Sequence, residues 1–144
     1  MEIGAGIGLP SFSIAQKAAS LIISDHDPDA VTLLEKNIRQ LGLSNTHAMR
    51  IDWNDFPSSV SAETILLSDI NYAPAEFEGL LKLIKTWLAA GALLILSTPQ
   101  RILGAPFVTA VSGFMQSQTT IVVEENGTAT DISILVLRNS RAAE

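Results

Sequence analysis

No cysteine occurs in the 144 residues, which excludes a disulfide framework, thiolate catalysis and cysteine-held zinc. Only two histidines are present, His26 and His47, and no ligand spacing joins them, so no metal site is expected. Long apolar runs are missing too. The most hydrophobic stretch, residues 87–96, is interrupted by Gly91, whereas a membrane-spanning helix needs about 20 consecutive apolar residues. No basic segment followed by an apolar stretch and a small-residue cleavage site opens the chain, so nothing reads as a secretory signal. These absences together predict a cytoplasmic protein with no membrane partner. Basic residues are few and scattered, nine against fifteen acids for a formal charge of −6. Affinity drawn from neutralising many phosphates is therefore disfavoured, and nucleic acid is not an expected partner.

A hydrophobic fraction of 47% is enough to bury one ordinary core, so residues 1–144 are expected to form a single domain. Short β-branched runs alternate with segments of helical period, the pattern of an α/β domain with a mostly parallel sheet. Strands are predicted at residues 1–4, 21–25, 47–51, 65–70 and 92–97. Helices are predicted at 9–19, 29–41, 74–90 and, weakened by Gly104, Pro106 and Gly113, at 102–115. The 29–41 helix is the clearest: Pro28 sits at its first turn, Val31, Leu34, Ile38 and Leu41 recur at three- and four-residue steps, and Gly42 stops it. Residues 119–124 and 131–137 flank Asn126-Gly127, a strong turn signal, and should close the chain with an antiparallel hairpin.

Chemistry is expected at the strand ends. Glu2-Ile3-Gly4-Ala5-Gly6-Ile7-Gly8 follows a strand and opens a helix, the context that makes a glycine pattern informative. Glycine permits the tight turn and the close approach of a ligand, and the helix amino end offers unpaired N–H groups. A dinucleotide fingerprint would want a further glycine at position 9, where this chain has Leu9. Asp25 closes the second strand about 20 positions beyond Gly4, the spacing at which an acid meets ribose hydroxyls. His26 or Asp27 could take that contact instead. For Asp27, with Pro28 next to it, capping of the following helix is the expected role, and for His26 a surface ring or packing against adenine. Asp52-Trp53 places an acceptor beside a flat apolar ring, which suits adenine, although Trp53 could equally bury area at the sheet edge. Ser68-Asp69-Ile70-Asn71-Tyr72 ends the fourth strand, near the switch point of a doubly wound sheet. An acid after an apolar strand must be buried and paired, or must cap the helix near Pro74.

In order and spacing, Glu2 to Gly8, Ser24 to Asp29, Ile51-Asp52-Trp53 and Ser68 to Pro74 resemble the class I, seven-β-strand S-adenosylmethionine-dependent methyltransferases over nearly the whole chain. Asp69-Ile70-Asn71-Tyr72 is similar to the Asp-x-x-Tyr motif of the protein-lysine branch, and departs from the Asn-Pro-Pro-Tyr type of many nucleic-acid and glutamine N-methyltransferases. The resemblance implies a Rossmann-like doubly wound sheet and S-adenosylmethionine as cofactor. It implies that Glu2, Gly4, Gly6 and Gly8 hold the methionine part, Asp25 the ribose, and Asp52 with Trp53 the adenine, with His26 alongside. Asp69 and Tyr72 would stand beside the methyl group and an accepting amine, with protein lysine the expected acceptor. A small molecule, a ribosomal component, or a noncatalytic subunit keeping the fold are the alternatives. In that fold the first strand usually needs about five residues, so the first strand and the helices that precede it are expected to be truncated here.

Overall fold

A computed structural model describes residues 1–99 and 104–139, and chain contacts divide the protein into two units, Met1–Ala62 and Glu63–Glu144. The first unit runs β1 (Glu2–Ile3), α1 (Leu9–Ile14), β2 (Leu21–Asp25), α2 (Pro28–Leu41) and β3 (Thr46–Arg50). β2 pairs in parallel with β1 on one side and β3 on the other. Such a central strand needs apolar residues on both faces. Ile23 and Ser24 of β2 are fully buried, as is Leu34 of α2. Leu21, Ile23 and Leu34 form a core cluster with Ala15, with Phe12 and Leu43 packed against it.

Local signals set the bounds of α2. The Asp27 carboxylate accepts from the Asp29 amide at 2.9 Å, so Asp27 caps the helix as expected, and Gly42 ends it in the left-handed region at φ 64°. Leu41, assigned to the apolar face, is instead exposed, because the chain reverses at Gly42 and Leu43 takes the inner position. The helix expected at 9–19 is shorter: α1 stops at Ile14, and a 3-10 turn continues to Lys17. Asn45 Nδ2 donates to the carbonyls of Ala15 and Ala18, both at 2.8 Å, which satisfies groups that a longer helix would have paired.

The second unit runs β4 (Thr64–Ser68), α3 (Phe77–Ala89), β5 (Leu93–Pro99), α4 (Ala105–Val111), β6 (Met115–Glu125) and β7 (Thr128–Leu137). β4 and β5 are parallel, β7 adds antiparallel to β5, and β6 adds antiparallel to β7. The protein is therefore a Rossmann-like α/β fold, mostly parallel with an antiparallel carboxyl-terminal hairpin. The hairpin turns at Asn126 and Gly127, with φ 50° and 78°, the positive values that favour this dipeptide. β6 starts four residues before the expected 119, and β7 three before the expected 131. α3 buries Leu80, Ile84, Trp87 and Leu88, and the Phe77 ring meets that of Phe107 of α4 at 5.1 Å between centroids, tilted by 59°. The helix expected from 74 begins as a 3-10 turn at Pro74–Glu76. Residues 102 and 103 of the weaker expected helix lie outside the described residues. Among the described residues no helix is long and apolar enough to cross a membrane.

Candidate active site

The first unit gathers the glycine loop and the ends of β2 and β3. Gly4, Gly6 and Gly8 all adopt positive φ, at 65°, 55° and 78°. Two of them are needed for different reasons. A Cβ on Gly8 would meet Leu34 Cδ2 at 2.7 Å and Phe12 Cε2 at 2.8 Å, so this glycine lets the loop sit on the core. A Cβ on Gly6 would meet nothing within 4 Å. That backbone faces open space, as a loop that admits a ligand must.

Glu2 is fully buried, and its Oε2 accepts the Ser11 amide in the first turn of α1 at 3.2 Å. A carboxylate at a helix amino end complements the unpaired N–H groups and the dipole there. Burial pushes the nearby Met1 amino group below its ordinary pKa, against the raising effect of the Glu2 charge. Ser24 Oγ donates to the Glu2 carbonyl at 2.9 Å and ties β2 to β1. Among the expected ligands, Asp25 has the most instructive surroundings. Its Oδ2 accepts from Gly6 N at 2.9 Å and its Oδ1 from Asp27 N at 3.0 Å, so one carboxylate fastens the glycine loop to the end of β2. His26 Nδ1 lies 3.2 Å from Oδ1. A carboxylate has about four lone-pair sites, so these contacts leave it capacity for a ligand hydroxyl.

Beyond Asp25, the Ile51 amide donates to the Asp25 carbonyl at 3.0 Å, which brings the end of β3 to the end of β2. Asp52 is exposed and caps the 3-10 turn Trp53–Asp55 by accepting the Asn54 amide at 2.9 Å. The His26 and Trp53 rings approach to 6.3 Å at an interplanar angle of 43°. Arg50 Nε donates to the His26 carbonyl at 3.1 Å and steadies this edge. All eight residues expected around a cofactor thus belong to one unit. Direct contacts join Gly6 to Asp25, Asp25 to His26, and His26 to Trp53. Ser11 and Arg50 were not expected there, and Ser24 was expected only as the first residue of the stretch to Asp29. A lone serine in the apolar run of β2 was the one available signal.

The second unit carries Asp69 and Tyr72 on the segment after β4. Asp69 has φ 51°, a left-handed conformation costing about 1–2 kcal/mol for most residues and tolerated best by Asp and Asn. The reversal ends β4 at Ser68, two residues earlier than expected, and the Asp69 amide is held by the Ser97 carbonyl at 2.8 Å. Asp69 is half-buried rather than buried, and Ile70 and Asn71 are the buried residues of the segment. Helix capping is also not its role, since Ala73 occupies the cap position and no side chain caps that turn. Tyr72 is 55% exposed. Asn71 packs so closely on Gly104 that a Cβ there would lie 2.7 Å from its Nδ2. Among the described residues no group of His, Asp or Glu could hold a metal ion.

A family model described as "Lysine methyltransferase" matches residues 1–119. No curated protein matches the sequence. Among solved structures, the N-methyltransferase NodS of Bradyrhizobium japonicum, crystallised with S-adenosyl-L-homocysteine, superimposes with a TM-score of 0.75 at 13% identity, over 96% of this chain and 76% of that one. Magnesium protoporphyrin IX methyltransferase of Synechocystis, crystallised with S-adenosylmethionine, gives 0.71 at 19% identity over 96% and 68%. TrmK of M. capricolum, with S-adenosyl-homocysteine, gives 0.68 at 14% over 96% and 61%. At these identities the likeness establishes a shared fold.

Proposed function

The chain belongs to the lysine methyltransferase family, and from that premise we propose that it transfers a methyl group from S-adenosylmethionine to the ε-amine of a protein lysine. The observation that carries the cofactor half of this reading is the carboxylate of Asp25, bonded to the Gly6 and Asp27 amides beside the paired His26 and Trp53 rings. Open backbone at Gly6, a carboxylate with spare acceptor capacity and a ring platform at the same edge fit the parts of a nucleoside attached to an amino acid. In this assignment Glu2 and the loop Gly4, Gly6, Gly8 hold the methionine portion, Asp25 takes the ribose hydroxyls, and His26, Asp52 and Trp53 receive the adenine.

When bound, the cofactor supplies a sulfonium-activated methyl group, so the protein's task is alignment of a neutral nucleophile rather than covalent catalysis. Lysine must shed a proton first, because an ammonium has no lone pair and its unperturbed pKa is about 10.4. Asp69 and Tyr72 are assigned to the accepting amine. The Asp69 carboxylate accepts from the N–H groups and orients the amine, the Tyr72 hydroxyl provides a second polar contact, and the proton shed by the ammonium passes to water, which the half-buried Asp69 and exposed Tyr72 leave within reach. The strained backbone at Asp69 supports this role, since strain of that kind is kept where a side chain must point in a set direction.

The deciding experiment incubates the purified protein with methyl-labelled S-adenosylmethionine and a cell extract, then identifies the labelled species by mass spectrometry. Label on lysine side chains of a protein is the expected result. Label confined to RNA or to small molecules would overturn the acceptor assignment and leave the cofactor assignment standing, and no transfer with no binding by calorimetry would overturn both.

A further inference from the structure

Among the described residues, β6 pairs with β7 from Met115 opposite Leu137 to Glu125 opposite Thr128. Within it Ile121, Val122 and Val123 follow one another, 47%, 59% and 48% exposed. Successive side chains on a strand point to opposite faces, so this stretch of β6 offers an exposed β-branched side chain on each face.

Among the described residues β6 is also an edge strand of the sheet. Edges are normally blunted by charge, proline or bulges. Residues 115–123 contain no charged residue and no proline, and the only irregularity in the pairing with β7 lies at its far end, between Met115 and Ser117. A helix or loop laid over this stretch would cover one face. An added strand sets side chains beside both faces and pairs the free edge, so strand addition is the better fit.

We propose that this edge binds the same edge of a second copy of the chain, antiparallel, about a two-fold axis at Val122. In that register Val122 lies opposite its own counterpart, Ile121 opposite the partner copy's Val123, and Glu124 opposite Thr120, so β-branched residues meet and no carboxylates oppose. Parallel pairing in register would set Glu124 against Glu124. Asp131, the β7 neighbour of Val122, would stand three strand spacings from its counterpart, about 14 Å, beyond the screening length of about 8 Å at physiological salt. The contact is isologous and uses up both edges, so assembly stops at two. A single strand edge is small for an interface, which makes the dimer reversible and concentration-dependent.

Because the chain has no cysteine, one introduced thiol reports the register. Directly opposed antiparallel residues have Cα separations of about 4.5–5.5 Å, within the range a disulfide spans. Val122→Cys should form a reductant-reversible dimer under mild oxidation at least tenfold faster than Gln116→Cys, whose position in this register lies past the Glu125 end of the second copy's β6. In sedimentation, the unmodified protein should shift from monomer to dimer with concentration. Val122→Lys, which opposes two charges at the axis, should weaken that shift at least tenfold while leaving the circular dichroism melt in place. A protein that stays monomeric at every concentration, equal cross-linking at positions 116 and 122, an undiminished dimer in Val122→Lys, or growth past the dimer would each overturn the proposal.

Discussion

The two units hold their candidate site residues by different means. In Met1–Ala62, side chains reach across long stretches of sequence to hold backbone: Asp25 the Gly6 amide, Glu2 the Ser11 amide, Asn45 the end of the 3-10 turn after α1. In Glu63–Glu144, Thr86 and Thr109 bond back one turn along their own helices, Gln118 Nε2 donates to Ser133 Oγ across the hairpin at 3.5 Å, and the segment with Asp69 and Tyr72 combines an unusual backbone torsion with burial of Ile70 and Asn71. Under the proposed assignments this amounts to a division of labour, with the cross-linked glycine loop and β2 end for the cofactor and the segment after β4 for the acceptor. Preorganisation through bonds to the backbone suits a ligand that never changes.

The sharpest way to break that comparison is to disable one side alone. Asp69→Asn removes the charge and keeps a residue that tolerates left-handed backbone, so folding should be little altered. Transfer should fall by about a hundredfold, the scale of losing the acceptor that aligns the amine for in-line attack. S-adenosylmethionine affinity by calorimetry should be unchanged. Parallel loss of affinity would mean that Asp69 serves the cofactor and that the division is wrong.

A pair of glycine substitutions tests the other side. Gly8→Ala combines positive φ with contacts of 2.7 and 2.8 Å to Leu34 and Phe12, and should cost about 2–4 kcal/mol, from overpacking added to left-handed strain. Gly6→Ala has the same kind of torsion and no clash, so it should cost about 1–2 kcal/mol while weakening cofactor binding more than Gly8→Ala does per unit of lost stability. Urea unfolding and calorimetry on both variants give the two orderings. Equal stability losses would show that the loop does not rest on the core as described.

Asp25→Ala comes next. It leaves two backbone N–H groups without their carboxylate, worth about 1–3 kcal/mol, and removes the assigned ribose acceptor, so affinity for S-adenosylmethionine should drop at least about tenfold, or 1.4 kcal/mol. Asp25→Asn keeps an acceptor for one amide and should recover part of the stability with less of the binding. Binding at the original strength in either variant would reduce Asp25 to a structural tie.

What could be read from the sequence was local in origin. The glycine loop, the Asp27-Pro28 start and Gly42 stop of α2, and the Asn126-Gly127 turn each carry their cause within a few residues, and each occurs where expected. The bond from Asp25 to Gly6 was not legible, because the spacing that suggests ribose contact is silent about a partner 19 positions earlier. The half-burial of Asp69 was likewise hidden. An apolar strand followed by an acid implies a buried acid only if the strand continues, and here a left-handed residue ends it. The extra length of β6 escaped notice because Met115-Gln116-Ser117-Gln118 has no alternation to mark it as strand; its pairing with β7 draws it into the sheet.

The smallest effect separates helix start from ligand contact at the β2 edge. Asp27 and Asp25 are linked, since the Asp27 amide donates to Asp25 while the Asp27 carboxylate accepts from Asp29. Asp27→Ala keeps its own amide, so the Asp25 contact survives and only the cap is lost. Stability should fall by about 1 kcal/mol, the usual cost of deleting such a cap, and Asp27→Ser should restore most of it, because a hydroxyl oxygen can accept the same amide. Cofactor affinity should stay within about twofold of the parent. A larger loss of affinity, unrepaired by serine, would move Asp27 from helix cap to ligand and would extend the cofactor site one residue beyond His26.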